Sequence, residues 1–375
     1  MINYNKNELY KIAKRENNTK RPYLLVNPLQ GKHMPVSPAK SFEVFKELSD
    51  KLSLKYEGEK LLIIGFAETA TAIGAAVAVN ISDCKYFIQT TREIITNARY
   101  LIFSETHSHA TEQKLVSNNL HKMIEETDRI VFIEDEVTTG NTILSIINII
   151  KDRYYTLPTK FGIGSILNSM TTDTLNKFST AGIDCTYILK LGDEDYTSIA
   201  NGYSSNNNLC RKTDFKLDDN VQIMVNNYLN SRVGVDTLSY KKLCSKLSQS
   251  VNSYIDCNEL EGKDILVLGT EEFMYPAMYS ARIIEKTFSA KSVSFHATTR
   301  SPIMPCSENG YPIVSRNELA SIYDKNRVTY LYNLKKYDKT IVIHDSDYPN
   351  LGLCSLKATL NEYGCSDITI FKWGE

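Results

Sequence analysis

The 375-residue chain has no apolar run near the roughly 20 residues that a bilayer-spanning helix requires. The longest candidate, residues 72–79, is rich in small side chains and suits a buried helix. A dominant charge is missing too: 43 Lys and Arg against 44 Asp and Glu leave a net −1. That balance argues against nonspecific binding to nucleic acid or to an anionic membrane. None of the eight cysteines (84, 185, 210, 244, 257, 306, 354 and 365) forms a Cys-x-x-Cys pair, so neither a zinc knuckle nor a dithiol redox motif has support. The first twenty residues are polar and charged, without a secretory signal, and a cytoplasmic protein with reduced thiols is the expectation. What remains, 42% hydrophobic and 23% charged, is ordinary for a globular protein with length enough for two domains.

From residue 24 onward, short apolar runs alternate with helical patterns. Strands are expected at 61–64, 86–90, 100–103, 130–134, 161–167 and 185–189, and helices at 41–54, 70–79, 112–125 and 141–153. This rhythm predicts an α/β fold with a largely parallel sheet and flanking helices. A polar, asparagine-rich stretch opens at Asn201. A second set of strands follows at 265–268, 292–297, 328–332, 341–344 and 368–371. The expected organisation is a polar lead-in over 1–20, a first domain over 21–200, a linker over 201–235 and a second, smaller α/β domain over 236–375.

The most informative stretch is Ile130-Val131-Phe132-Ile133-Glu134-Asp135-Glu136-Val137-Thr138-Thr139-Gly140-Asn141-Thr142. It reads as a buried strand, acids at its carboxyl end, a small hydroxyl-and-glycine turn, and a helix. Ligands of open α/β sheets bind beyond the carboxyl ends of strands, where a helix N-terminus attracts anions. Acids repel phosphate but accept hydrogen bonds from sugar hydroxyls or hold Mg²⁺, while the turn offers N–H groups and hydroxyls to a phosphate. A diol near a phosphate is a ribose 5-phosphate.

This run resembles the 5-phosphoribosyl-1-pyrophosphate (PRPP) signature of type I phosphoribosyltransferases. The resemblance implies that Glu134 and Asp135 hold the ribose hydroxyls and that Val137, Thr138, Thr139, Gly140, Asn141 and Thr142 bind the 5-phosphate. It also implies a pyrophosphate loop after the first core strand, at Ala67, Glu68, Thr69, Ala70 and Thr71. Arg92, at the end of a strand, has the fork geometry to grip pyrophosphate; a surface salt bridge is the plain alternative. Lys32 and His33 lie in a turn-rich segment of the kind that builds a hood over the acceptor in this class, though an ordinary exposed turn fits equally. His107 and His109, in Ser104-Glu105-Thr106-His107-Ser108-His109-Ala110, sit where these enzymes carry a mobile loop, and a His-x-His pair alone is a weak metal signal.

With a later Thr299-Arg300-Ser301-Pro302, the chain resembles the orotate-phosphoribosyltransferase-like family linked to tellurium-resistance (Ter) operons, which carries a C-terminal TRSP domain. The resemblance implies transfer of ribose 5-phosphate from PRPP to a small-molecule acceptor with release of pyrophosphate, in a biosynthetic cluster. Mg²⁺ would be held mainly through PRPP, with Glu134 and Asp135 in reach. A homodimer is implied, with no nucleic-acid or membrane partner. The lysine-rich loop of the orotate enzymes is absent, which sets orotate aside as acceptor. The alternative is a PRPP- or nucleotide-sensing regulator without chemistry.

The two halves read as distant copies. Residues 61–68 parallel 265–272, Gln89-Thr90-Thr91-Arg92 parallels Ala297-Thr298-Thr299-Arg300, and 130–135 parallels 340–345. A degenerate second site would then gather Glu271, Arg300 and Asp345. Proline at 349 disfavours a phosphate turn there.

Overall fold

The apolar runs 61–64 and 130–133 are fully buried, as parallel strands between covering helices must be. The computed structural model describes residues 4–104 and 112–374. The chain divides into two units, and their membership does not follow chain order. The first comprises Met1–Tyr4, Phe42–Glu194 and Leu229–Lys242; the second comprises Asn5–Ser41, Asp195–Tyr228 and Leu243–Glu375. Residues 5–41 thus join the second unit and residues 229–242 the first.

In the first unit, Leu61–Gly65 pairs in parallel with Cys84–Gln89 on one side and Arg129–Val137 on the other. Lys160–Asn168 and Ile183–Lys190 continue the sheet in parallel. The two-residue strand Val235–Asp236 closes the opposite edge, antiparallel to Cys84–Gln89. Helix Thr71–Asn80 is buried throughout except at its last residue. It presses so close to the first strand that a Cβ on Gly74 would stand 2.8 Å from the Gly65 Cα. The lower end of the central strand is anchored by charge: Arg129 Nε and Nη2 bind Glu59 at 2.6 and 3.2 Å, and its Nη1 donates to the Phe161 carbonyl at 2.8 Å.

Three sequence expectations need correction. Residues 112–125 do not form one helix: Glu112–Val116 is a strand antiparallel to Tyr100–Ser104, and only Leu120–Glu125 is helical. The cause is burial of alternate side chains, Gln113 and Leu115, both at 0% exposure. Strand Tyr100–Ser104 accordingly belongs to this hairpin and not to the main sheet. Structure also enters both polar segments: Lys11–Lys14 pairs antiparallel with Tyr23–Val26, and Cys210–Lys212 pairs in parallel with Arg316–Ala320.

The second unit holds a five-stranded parallel sheet in the order Ile223–Val225, Ile368–Trp373, Lys339–His344, Asp264–Gly269, Ser292–Ala297. Its core packs Leu266, Leu268, Val342, Leu353, Leu356 and Leu360. This sheet repeats the spatial order of five of the first unit's six strands, with Ile223–Val225, in the place of Ile183–Lys190, preceding the other four in the chain. Leu62 lies opposite Ile130, and Leu266 opposite Thr340, the pairing that the sequence parallel requires. Each unit adds an antiparallel hairpin, in the second Arg316–Ala320 with Val328–Tyr332. Each hairpin is stitched to the main sheet at one residue, Lys114 to Thr91 and Tyr330 to Thr299. Among the described residues no helix is long and apolar enough to cross a membrane.

Candidate active site

Strand Arg129–Val137 runs four residues beyond its apolar core, through Glu134, Asp135 and Glu136 to Val137. Alternation then separates them. Glu134 and Glu136 line a small cleft of about 60 Å³, together with Val137, Thr138, Thr139, Gly140, Asn141, Thr142 and Ile143. Asp135 faces away, and its Oδ1 accepts from Thr69 Oγ1 at 2.8 Å. The expected adjacent pair Glu134 and Asp135 is therefore split: one acid borders the Gly140 turn, the other ties that strand to the 65–70 loop. Glu136 takes the second place in the cleft, a role the period-2 rule could have assigned from sequence.

Gly140 makes the turn. It caps helix Asn141–Arg153 with φ of 74°, the left-handed region where a Cβ is costly. A Cβ there would also stand 2.4 Å from Met170 Cε and 2.7 Å from Phe178 Cζ. Gly140 brings no capping side chain and no acid occupies the first turn of this thirteen-residue helix; Asn141 N–H reaches Thr139 Oγ1 at 3.4 Å, and the positive end of the helix can attract an anion. Thr138 and Thr139 add hydroxyls beside it.

The 65–70 loop is held by its backbone and by two buried side chains. Thr90 N–H donates to the Gly65 carbonyl at 2.9 Å, and Phe66 N–H to the Ile133 carbonyl at 3.0 Å. Ala67 N–H donates to Thr90 Oγ1 at 2.8 Å, and Gln113 Nε2 donates to the Ala67 carbonyl at 2.5 Å. The Ala67–Glu68 peptide is cis. Thr71, where the helix starts, is buried, as are Ala67, Glu68 and Ala70. Arg92 follows the Thr91–Lys114 bridge at the carboxyl end of its strand, half-buried. His107 and His109 lie outside the described residues.

Metal fit can be read from the donors. Among the described residues no group of three or more His, Cys, Asp or Glu is arranged to hold an ion. Two cleft carboxylates beside a phosphate turn suit Mg²⁺ that arrives on a phosphorylated ligand, the usual mode for this hard, hydrated cation.

Lys32 and His33 belong to the second unit and are buried at 0% and 1% exposure. Lys32 Nζ donates to the carbonyls of Glu271 and Thr298 at 2.6 and 3.0 Å, so neither residue lies in the exposed turn weighed above. There Glu271 and Arg300 do meet, Nε to Oε2 at 2.7 Å, and Arg300 Nη2 reaches Glu272 at 3.0 Å. Arg327 adds a bond to Glu271 at 2.8 Å, and Ser321 adds another. Asp345 accepts from the hydroxyls of Tyr323 and Tyr228, each at 2.6 Å, and the Tyr323 hydroxyl also meets Thr270 Oγ1 at 2.7 Å. The hairpin loop that supplies Ser321, Tyr323 and Arg327 carried no sequence signal. A more open groove of about 520 Å³ lies elsewhere on this unit, along Met224, Lys246, Gln249, Ser250 and Tyr254, with no acid in its lining.

A strand-end acid cluster, a glycine-capped helix N-terminus and a strapped 65–70 loop now stand together. Residues 9–190 match the model of the phosphoribosyl transferase family, and residues 230–357 match that of the TRSP domain found C-terminal to it. The chain carries a phosphoribosyltransferase domain followed by a TRSP domain. No curated protein matches it. Solved phosphoribosyltransferase structures resemble part of it. The adenine enzyme of Trypanosoma brucei is 16% identical, over 50% of this chain and 80% of its own, with a TM-score of 0.37. That of Leishmania tarentolae is 18% identical over 51% and 86%, at 0.36. The hypoxanthine enzyme of Staphylococcus aureus is 17% identical over 43% and 78%, at 0.28. The phosphoribosyltransferase family match ends at 190, yet the first unit also takes in residues 229–242, most of which fall within the TRSP match.

Proposed function

We propose that the first unit transfers ribose 5-phosphate from PRPP to a small-molecule acceptor and releases pyrophosphate. The acceptor nucleophile forms a bond to C1 of the ribose as the C1–O bond to pyrophosphate breaks, the electron pair leaving with the pyrophosphate. The acceptor then gives up its proton. The observation that carries this reading is the Gly140 turn, a glycine-capped helix N-terminus flanked by two hydroxyls and two strand-end acids.

In this reading, residues 137–142 anchor the 5-phosphate and supply binding energy remote from the reacting carbon. Glu134 and Glu136 accept from the ribose hydroxyls and lie close to the positive charge that develops on the sugar. Asp135 acts through Thr69, setting the distance between the phosphate turn and the 65–70 loop. Loop N–H groups and Arg92 meet the leaving pyrophosphate, where preorganised donors act most strongly. Mg²⁺, when bound with PRPP, neutralises charge on the leaving group. The Ter-operon and biosynthetic setting implied by the sequence resemblance belongs to this same reading, as does a homodimer.

The test is PRPP turnover in a cell extract, followed by mass spectrometry for ribosyl-phosphate adducts, with Asp135→Asn and Thr139→Ala. Each variant is expected to lower turnover at least about tenfold, Asp135→Asn by giving Thr69 a neutral acceptor in place of a charged one and Thr139→Ala by removing a cradle hydroxyl. Near-normal turnover in both sinks the site assignment. Tight PRPP binding with no turnover in any extract would favour the sensing role.

A further inference from the structure

Gln113 lies at 0% exposure on strand Glu112–Val116, and three hydrogen bonds close a ring through it. Ala67 N–H donates to Thr90 Oγ1 at 2.8 Å. Thr90 Oγ1 in turn donates to Gln113 Oε1 at 2.7 Å, and Gln113 Nε2 donates to the Ala67 carbonyl at 2.5 Å. A primary amide offers both an acceptor and a donor on one rigid plane, which is what the ring requires. The peptide groups on both sides of Ala67 are thereby fixed.

The second unit carries an independent version of this clamp. Glu271, two residues after Gly269 as Ala67 is two after Gly65, donates its N–H to Thr298 Oγ1 at 3.1 Å. Its carbonyl is also held, but by the Lys32 amine at 2.6 Å. Two copies that share little sequence thus restrain the same carbonyl with different chemistry. The restraint belongs to the geometry of the turn and not to one side chain.

We propose that Gln113 is a positioning residue for the pyrophosphate half of the first unit's site. Resting on the reading above, this assigns to the hairpin the job of presenting the loop's donors to the leaving group. Residues 67–69 are bracketed: Gln113 and Thr90 fix Ala67, and Asp135 fixes Thr69. The backbone pair between Lys114 and Thr91, at 2.8 and 3.0 Å, keeps the hairpin in place to do so. Without the amide, the buried Ala67 carbonyl loses its donor and the loop turns to recover one.

The experiment is calorimetric titration of the full chain with Mg²⁺ plus pyrophosphate and, separately, with ribose 5-phosphate. Gln113→Leu is expected to weaken pyrophosphate binding at least about tenfold and to leave ribose 5-phosphate within about twofold. Gln113→Glu separates positioning from mere packing. Ionised, it offers Ala67 no proton; protonated, it regains one donor and one acceptor. Its pyrophosphate affinity, relative to wild type at the same pH, is therefore expected to recover as pH falls from 8 to about 5.5. That series decides the matter should Gln113→Leu not fold. Unchanged pyrophosphate binding in the leucine variant, equal loss of both ligands, or a flat pH series in the glutamate variant overturns the proposal. If wild type binds neither ligand, the functional reading itself fails, and that outcome is distinct.

Discussion

Replacing Gly140 with alanine isolates the turn on which the phosphate cradle depends. Two costs add. At φ of 74° an L-residue with a Cβ pays about 1–2 kcal/mol relative to glycine. The new methyl also enters space held by Met170 and Phe178, at 2.4 and 2.7 Å, which are buried at 1% and 5% exposure. Overpacking of this kind costs about 1–3 kcal/mol, and the flexible Met170 end places it toward the lower bound. The sum is a loss of about 2–4 kcal/mol, read as a shift in the urea midpoint of the first unit's unfolding. The two parts can be separated. Met170→Ala removes the nearer collision, so Gly140→Ala in that background should cost about 1 kcal/mol less than in wild type, a coupling that a double-mutant cycle measures. Ribose 5-phosphate binding should fall in both backgrounds, because the backbone conformation and not the collision sets the cradle. A Gly140→Ala protein within 0.5 kcal/mol of wild type would refute the whole line of reasoning.

Acid sensitivity gives two further predictions. Burial pushes His296 down to about 3 and His344 down to about 4, from 6.5. Both fold neutral and titrate when unfolded, so their contribution is complete above pH 6.5 and declines as pH falls toward those values, by about 1.4 kcal/mol per unit for each. The pH slope of stability between 6.5 and 4.5 should flatten in His296→Gln; an unaltered slope contradicts the assignment. Glu59, held at about 2 chiefly by its hydrogen bond from Arg129, stabilises the first unit above pH 4.5 and loses that effect as pH falls toward 2. Glu59→Gln should lower stability at pH 7 by roughly 1–2 kcal/mol, less than half as much at pH 3 and little at pH 2, and equal losses at all three would count against the ion pair.

The parallel sheets were legible because each core strand is a local apolar run, and the phosphate turn because its acids, hydroxyls and glycine follow one another in the chain. Gln113 was not. A polar residue inside a strand makes sense only beside Thr90 and Ala67, 23 and 46 residues away in sequence. The same stretch, with Leu115, Leu120, Met123 and Ile124, mimics helical spacing, which hid the hairpin. Strand alternation alone puts Glu134 and Glu136 on one face and Asp135 on the other. The burial of Lys32 is illegible in sequence for a related reason: its partners Glu271 and Thr298 lie more than two hundred residues downstream. Ionic clusters such as Glu271, Arg300 and Arg327 were only partly readable, since the loop bringing Ser321 and Arg327 has no composition to mark it.

A gene severed between the two family matches would not yield two working halves. The amino-terminal product would keep residues 5–41, whose Val36 pairs with Phe295 in the other half, and would lack Val235, which covers Phe87, and Tyr240, which packs against that ring. The carboxyl-terminal product would carry those orphaned residues and miss its own edge. Each fragment would carry its sibling's border, so this exchange of flanks makes the two units one inseparable piece of chain.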